Sequence, residues 1–131
     1  MTQKLKKLGF RGYIFSRKID GNFIPQRVQN LVIKDYCQRK RLFFKLSATE
    51  YKMDQCYLML NSVLKDLKNI NGIIFYSLFM LPENKKERVI LITKIIKKKK
   101  SIHFALEEIE IRTTKHIREL NNILKISKVS K

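Results

Sequence analysis

The sequence predicts one three-layer α/β domain, in which helices cover both faces of a four-stranded, mainly parallel sheet. Short β-rich runs alternate with stretches of helical periodicity, the pattern of parallel strands joined by right-handed crossovers. The run at residues 73–76 is apolar throughout, as in a central strand that is covered on both faces. The chain has 131 residues, of which 44% are hydrophobic. That length and composition suit one domain with its own core.

The first half of the chain predicts two strands, each followed by a helix. Residues 10–16 form the first β-rich run, and Pro25 then opens a helix that continues to about residue 39. The second strand is predicted at residues 42–46. Asp54 is the predicted N-cap of a second amphipathic helix. The order of elements thus begins β-α-β-α.

The second half repeats the alternation and adds a terminal helix. Residues 73–76 are the third strand, and Pro82 opens a third helix. A fourth strand is predicted at residues 101–106, and a weaker helical pattern covers residues 117–126. The strand order expected for this alternation is 2-1-3-4. We therefore expect a basic N-terminal segment at 1–9, the α/β domain at 10–111 and a basic C-terminal helix or tail at 112–131.

The formal net charge of +18 lies mostly outside the predicted strands and helices of the domain. Thirteen of the eighteen excess positive charges lie in residues 1–11, 97–100 and 112–131. A strongly basic chain suggests nucleic acid as a partner. The concentration of charge at the ends and in one turn, together with a composition typical of AT-rich genomes, weakens that suggestion.

The remaining composition predicts a cytoplasmic protein without metal or cofactor. Cys37 and Cys56 fall on separate predicted helices and form no CxxC pair, so we expect reduced thiols. His103 lies in an apolar strand, as a core histidine does, and His116 lies in the basic tail. No glycine-rich phosphate loop, signal peptide or transmembrane segment is recognisable.

Polar residues follow the predicted strands, where open parallel sheets bind their ligands. With the order 2-1-3-4, the switch point falls between the first and third strands. An arginine flanked by hydroxyl groups suits phosphate or carboxylate. Glu50 and Glu107 are the candidate general bases, provided that burial raises their pKa; each polar residue could instead cap a helix or close a turn. The predicted ligand-binding residues are Ser16, Arg17, Gln26, Ser47, Thr49, Tyr51, Tyr76 and Ser77.

Five ordered motifs carry a resemblance to a known family. They are RGYIFSR at 11–17, PQRVQN at 25–30, LSATEY at 46–51, YSLFMLPEN at 76–84 and HFALEE at 103–108. Together they resemble the small sporadic carbohydrate cluster proteins of bacterial surface-polysaccharide gene clusters. The resemblance implies a role in making an O-antigen, a capsule or a similar glycan, and it supplies no reaction.

The strand order 2-1-3-4 is that of a flavodoxin-like or a resolvase-like fold. A second resemblance, to the catalytic domain of serine recombinases, implies the resolvase-like one. That domain also begins with a Gly-Tyr strand and has a helix rich in glutamine contacts. Its third strand leads into Ser-Leu-Asp-Arg-Leu, whereas residues 77–81 here read Ser-Leu-Phe-Met-Leu. Its arginine stands two residues before the nucleophilic serine, whereas here Arg17 follows Ser16. Because the acid and the arginine are replaced, we do not expect DNA strand exchange.

Three hypotheses follow for the function. The first is a polysaccharide-pathway protein that binds an anionic sugar or sugar nucleotide at the strand ends, with or without catalysis. The second is a non-catalytic adaptor that docks an enzyme of that pathway through the strand ends or a Met/Leu helix face. The third, and least favoured, is a nucleic-acid binder that uses its basic ends. An exposed apolar helix face also favours a homodimer.

Overall fold

A computed structural model describes residues 8–130, with the side chains of residues 8–126. The predicted basic segment at 1–9 lies largely outside the described residues. Short 3-10 turns at Leu67–Asn69 and Leu78–Met80 precede and follow the third strand. The elements in chain order are β1 Phe10–Ile14, α1 Gln26–Lys40, β2 Phe44–Thr49, α2 Leu58–Lys65, β3 Gly72–Phe75, α3 Lys85–Lys97, β4 Ser101–Phe104, β5 Ile109–Ile111 and α4 Thr114–Ser130.

The sheet confirms the α/β class and adds one strand to the prediction. Its order is β2-β1-β3-β4-β5, so the predicted order of the first four strands is correct. These four run parallel, and β5 pairs antiparallel with β4. The sequence analysis missed β5 because it has only three residues, too few for strand periodicity to show. It follows a reverse turn in which Glu108 adopts a φ of 55°.

The two faces of the sheet are packed by different elements. Tyr13, Phe75 and Phe104 share one register across β1, β3 and β4. On one face, the Tyr13 and Phe75 rings make a T-shaped contact, and the Phe75 and Phe104 rings pack at a tilt of 37°. His103 lies on the opposite face, where it contacts the rings of Phe10 and of Tyr36 from α1. Right-handed crossovers place α2 and α3 on the face opposite α1.

His103 is a buried histidine of the core. Its Nδ1 lies 2.7 Å from the Tyr36 hydroxyl, and its Nε2 lies 3.0 Å from Oγ of Ser101. Only 2% of its surface is exposed. Burial lowers the pKa of His103 to about 4, so the ring is neutral at physiological pH and its two nitrogens serve the packing between α1 and the sheet.

Several predicted strand ends are wrong: β1 ends at Ile14 rather than 16 and β4 at Phe104 rather than 106. Strand β2 continues to Thr49 rather than ending at 46, so Ser47 and Thr49 lie within the strand and not after it. The starts of β2 and α2 also differ from the prediction, for local reasons. Strand β2 begins at Phe44 rather than residue 42, because Arg41 adopts a left-handed φ of 57° and the N–H of Leu42 still bonds to Cys37 of α1. Helix α2 begins at Leu58, so Asp54 is not its N-cap. The helix instead receives its cap from Glu50, described below.

The other helix boundaries lie closer to the prediction. Helix α1 begins directly after Pro25. Helix α3 begins at Lys85, where Oδ1 of Asn84 accepts a hydrogen bond from the N–H of Glu87 at 3.0 Å. Helix α4 is longer than the predicted 117–126, packs against α3 and buries Leu120. Among the helices described, none is long and apolar enough to cross a membrane.

Candidate functional site

The carboxyl ends of β1, β2 and β3 bring several predicted site residues to one edge of the sheet. The hydroxyl of Ser16 donates to the carbonyl oxygen of Glu50 at 3.4 Å. Arg17 donates to the carbonyl oxygen of Tyr51 at 3.0 Å. Ser77 lies at the end of β3 and pairs with Glu107. The predicted residues therefore form two separate polar clusters rather than one.

The first cluster surrounds the carboxylate of Glu50 and is called the Glu50 cluster below. Its oxygen Oε1 accepts hydrogen bonds from the Tyr13 hydroxyl at 2.7 Å and from the N–H of Leu60 at 3.1 Å. The group Oε2 accepts from the N–H groups of Met59 at 2.9 Å and Tyr51 at 3.0 Å. Glu50 is 2% exposed. Its carboxylate thus caps the first turn of α2, where a negative charge also suits the helix dipole.

The hydrogen bonds of Glu50 decide its protonation state. Burial alone would raise the pKa of Glu50, but the N–H groups of Met59 and Leu60 and the hydroxyl of Tyr13 stabilise the charged form. The net result is a pKa below the usual range. The pKa of the Tyr13 hydroxyl is raised, mainly by burial and in addition by its hydrogen bond to Glu50. The raised pKa that a general base at Glu50 requires is absent, and its catalytic role stays a prediction.

Arg17 holds the loop between β2 and α2. Its Nη1 donates to the carbonyl oxygens of Tyr51, Met53 and Cys56 at 3.0, 3.2 and 2.9 Å. The guanidinium carbon lies 3.9 Å from the centre of the Phe15 ring, a cation–π contact. These contacts position the guanidinium group against the protein itself. These contacts give Arg17 a structural role, and its role as an anion ligand stays a prediction.

The second cluster joins Ser77 to Glu107. The Ser77 hydroxyl donates to Oε2 of Glu107 at 2.7 Å, and the N–H of Leu78 donates to Oε1 at 2.9 Å. The Ser77 oxygen in turn accepts from the N–H of Phe79 at 3.2 Å. Ser77 is fully buried. Glu107 and Ser77 therefore cap the 3-10 turn after β3.

The remaining predicted residues are dispersed. Ser47 donates to Oδ1 of Asn30 at 2.6 Å and so ties β2 to α1. Gln26, Thr49 and Tyr51 are exposed, whereas Tyr76 is buried and its pKa is raised by burial and by Glu107. These side chains do not converge on one ligand position.

Sequence reasoning selected Gln26 and missed Gln29, the glutamine that contacts the strand. The side chain of Gln29 is fully buried. Its Oε1 accepts from the N–H of Phe15 at 2.9 Å, and its Nε2 donates to the carbonyl oxygens of Phe15 and Ile24 at 2.8 and 2.9 Å. The recombinase resemblance, with its glutamine-rich helix, carried the signal that could have identified it.

A concave surface lies beside these clusters and is called the rim groove below. It is formed by the loop after β1 (residues 18–21), the segment between β3 and α3 (78–83), the first turn of α3 and helix α4. Its volume is about 990 Å³, a size that accommodates a small-molecule ligand. It lies at the β1/β3 switch that the strand order predicts. Its apolar wall consists of Leu78, Phe79, Leu81, Pro82 and Leu124.

Four cationic and two anionic side chains line the rim groove. Arg88 is 8% exposed; its Nε donates to Oδ1 of Asn121 at 2.9 Å and its Nη1 to the carbonyl oxygens of Pro82 and Glu83, both at 3.1 Å. Burial lowers the pKa of Arg88 from its ordinary value. The charged lining residues are Lys18, Lys85, Arg88, Lys125, Asp20 and Glu83.

Sequence reasoning missed this lining because three distant segments supply it. Asn121 bonds to Arg88 across 33 positions of sequence, and no local pattern predicts that contact. Lys18 follows Ser16 and Arg17 directly. Its place just after the first strand was the signal that could have identified it as a lining residue. Among the described residues, no group of three or more His, Cys, Asp or Glu side chains is arranged to hold a metal ion.

Comparison with known proteins shows the fold. No family model matches the sequence, and no curated protein matches it. A resolvase family site-specific recombinase from Streptococcus pneumoniae superposes with a TM-score of 0.66 at 11% identity, covering 92% of this chain and 89% of that one. The N-terminal catalytic domain of TP901-1 integrase superposes with a TM-score of 0.61 at 15% identity, covering 92% and 98%. The resolvase-like fold is thereby confirmed.

The resolvase-like architecture is shared with these two structures. The two apolar replacements noted in the sequence, Phe79 and Met80, pack against the core: Met80 is buried and Phe79 is half-buried. The resemblance to sporadic carbohydrate cluster proteins gains no support from the comparisons.

Proposed function

We propose that this protein binds an anionic sugar, with a sugar nucleotide as the leading class, in the rim groove. One observation carries the proposal: three exposed lysines, Lys18, Lys85 and Lys125, outnumber the two acids of the lining, Asp20 and Glu83, and lie beside an apolar wall at the β1/β3 switch point. A sugar nucleotide has the complementary chemistry, because its diphosphate is anionic and its base and sugar ring have apolar faces.

Each part of the groove has a separate role in this proposal. Lys18, Lys85 and Lys125 are exposed, so their flexible side chains can reach the phosphate groups. The first turn of α3 adds backbone N–H groups and the positive end of a helix dipole. The amides of Asn121 and Asn122 line the same surface and suit sugar hydroxyls. The apolar wall of the groove gives a surface against which a base or sugar can pack.

The proposal extends to surface-polysaccharide biosynthesis through the motif resemblance, which implies a role in making a glycan. It includes no reaction, because Glu50 and Glu107 both accept backbone N–H groups in caps. A ligand-binding role needs neither carboxylate to change its protonation state.

Isothermal titration calorimetry with UDP-glucose, UDP and inorganic phosphate tests the proposal. We expect UDP-glucose to bind best, since it can use both the cations and the apolar wall. The double variant Lys18→Ala/Lys125→Ala should bind it about tenfold more weakly, at roughly 0.7 kcal/mol for each exposed charge. The matched control is Lys34→Ala/Lys68→Ala, which removes two exposed lysines outside the groove.

Two results would overturn the proposal. One is the absence of heat for all three ligands at low salt; the other is an equal loss of affinity in the groove variant and its control. Release of UDP from UDP-glucose, measured with Glu50→Gln and Glu107→Gln alongside, separates binding from catalysis. Turnover that either variant abolishes would show that the strand ends catalyse a reaction.

A further inference from the structure

A second concave surface lies between α2 and α3 and is called the helix groove below. Helix α2 packs mainly on β2, and α3 packs on β4 and α4, so a furrow remains between the two helices. Its volume is about 790 Å³. It shares no lining residue with the rim groove. Its apolar part is formed by Leu58, Leu64 and Leu67.

The apolar part of the helix groove is open to solvent at Leu58 and closed at Leu67, which is only 4% exposed. Leu58 is 60% exposed, and Leu64 is partly buried against the core. The leucines follow one another along α2 and into the turn that ends it, a length of roughly 13 Å at 1.5 Å per residue. Burying such a surface against a partner is favourable at about 25 cal/mol per Å² of apolar area.

Four lysines border this apolar surface. Lys65 comes from α2, and Lys94, Lys97 and Lys98 come from the end of α3. No carboxylate is among the described residues that line the groove. The nearest acid in sequence, Asp66, accepts a hydrogen bond from Nδ2 of Asn69. An apolar floor with a border of one charge sign selects a partner of the opposite sign.

We propose that the helix groove docks an acidic amphipathic helix of a partner protein. The groove lies between two helices, where a third helix can pack ridges into grooves. Leucine-like side chains at helical spacing would contact Leu58, Leu64 and Leu67, and carboxylates on both flanks would meet the lysines. This inference does not depend on the sugar-binding proposal.

Charge excludes the other occupants that this chain could supply. A second copy carries a net charge of +18, and its exposed helices are basic, as in α1 with Arg27, Lys34, Arg39 and Lys40 against Asp35. The ends of the same chain are also basic: residues 1–7 carry three lysines and residues 127–131 carry two, with no acid in either. Each would place positive charge against the lysine border.

Fluorescence anisotropy with a designed peptide tests the inference on the full chain. The probe is a labelled peptide of about five helical turns, with leucines spaced three and four residues apart and glutamates on both flanks. We expect saturable binding that weakens as salt rises. The double reversal Lys94→Glu/Lys97→Glu should weaken it about tenfold or more. Leu58→Ser should weaken it about fivefold, because Leu58 is exposed and its replacement removes apolar contact without emptying the core.

The matched control reverses two exposed charges on the opposite side of the sheet, Arg27→Glu/Lys34→Glu, and should leave affinity within about twofold of the original. Urea unfolding of each variant verifies that it is folded. Equal weakening by the control would reduce the effect to net charge and overturn the inference. So would equal binding of a peptide with lysine in place of glutamate, or self-association in sedimentation that Leu58→Ser abolishes. UDP-glucose binding should stay unchanged in all of these variants.

Discussion

The Glu50 cluster and the rim groove lie at the same edge of the sheet but differ in what their polar groups contact. In the Glu50 cluster, both carboxylate oxygens accept hydrogen bonds from the protein itself. In the rim groove, Lys18, Lys85 and Lys125 extend from an open surface beside an apolar wall. A ligand at Glu50 would have to replace five internal donors, one of them the Cys56 thiol, whereas a ligand in the groove displaces water.

The difference separates residues that build the strand ends from residues that can bind there. A buried carboxylate with several donors stabilises the loop and helix around it, because removing it leaves those donors buried without a partner. Exposed cations beside apolar surface add little to folding and remain available to a ligand. The two regions should therefore differ in their effect on the free energy of unfolding, from about 4 kcal/mol at Glu50 to less than about 0.5 kcal/mol at Lys18. A separate effect is expected at His103, on the other face of the sheet.

Removal of the Glu50 carboxylate should have the largest effect. We expect Glu50→Ala to lower the free energy of unfolding by about 4 kcal/mol, since it leaves the Tyr13 hydroxyl and buried N–H groups unsatisfied. Urea unfolding at pH 7 measures this. The exposed acid Glu119 on α4 provides the control, Glu119→Ala. An equal effect of the two substitutions would mean that the Glu50 cluster does not hold the fold.

Acidification should destabilise the protein through His103, which is buried between α1 and the sheet. The unfolded chain binds a proton at His103 with an ordinary pKa near 6.5, whereas the folded protein resists it down to about 4. The unfolded state therefore gains protons first, and stability should fall by about 2 kcal/mol between pH 6.5 and 5. Glu50 becomes protonated at lower pH, because its pKa lies below the usual 4.5. The loss of stability that its protonation causes therefore begins only below this window.

The variant His103→Gln isolates that effect. It should be less stable than the original at pH 7, with a flatter stability profile between pH 6.5 and 5, because His116 remains in both proteins. If the free energy of unfolding, measured with urea, fell with pH as steeply in His103→Gln as in the original protein, other groups would cause the pH dependence.

Substitution of Arg17 should have an intermediate effect. We expect Arg17→Ala to cost about 1.5 kcal/mol, since it removes hydrogen bonds to three carbonyl groups and the stack on Phe15. UDP-glucose affinity in the rim groove should change less than twofold. A loss of affinity without a loss of stability would instead support the role of Arg17 as an anion ligand that the sequence predicts.

Substitution of Lys18 should have the smallest effect on folding and a larger one on binding. We expect Lys18→Ala to change the free energy of unfolding by less than about 0.5 kcal/mol and to weaken UDP-glucose binding about threefold. Denaturation and calorimetry on the same preparation measure both. The reverse outcome, a destabilised protein with full affinity, would place Lys18 among the residues that build the strand ends.

The amino-acid sequence by itself determined the alternation of strands and helices and the order of the first four strands. Hydrophobic periodicity and the turn and capping signals at Pro25 and Pro82 are local properties, so they can be read along the chain. The sequence also identified the edge of the sheet at which polar groups collect, because parallel strands place their carboxyl ends together. Its motif residues Glu50, Glu107, Ser77 and Arg17 all lie there.

Only the tertiary structure decided what those residues contact. Glu50 caps a helix that begins eight residues later, and Arg88 bonds to Asn121 from the far end of the chain. Both contacts depend on the packing of separate elements, which no periodicity encodes. The same packing added β5, replaced Asp54 as a cap and left open the rim groove and the helix groove. Strand order thus followed from local pattern, whereas the division between structural and binding residues followed from long-range hydrogen bonds and exposure.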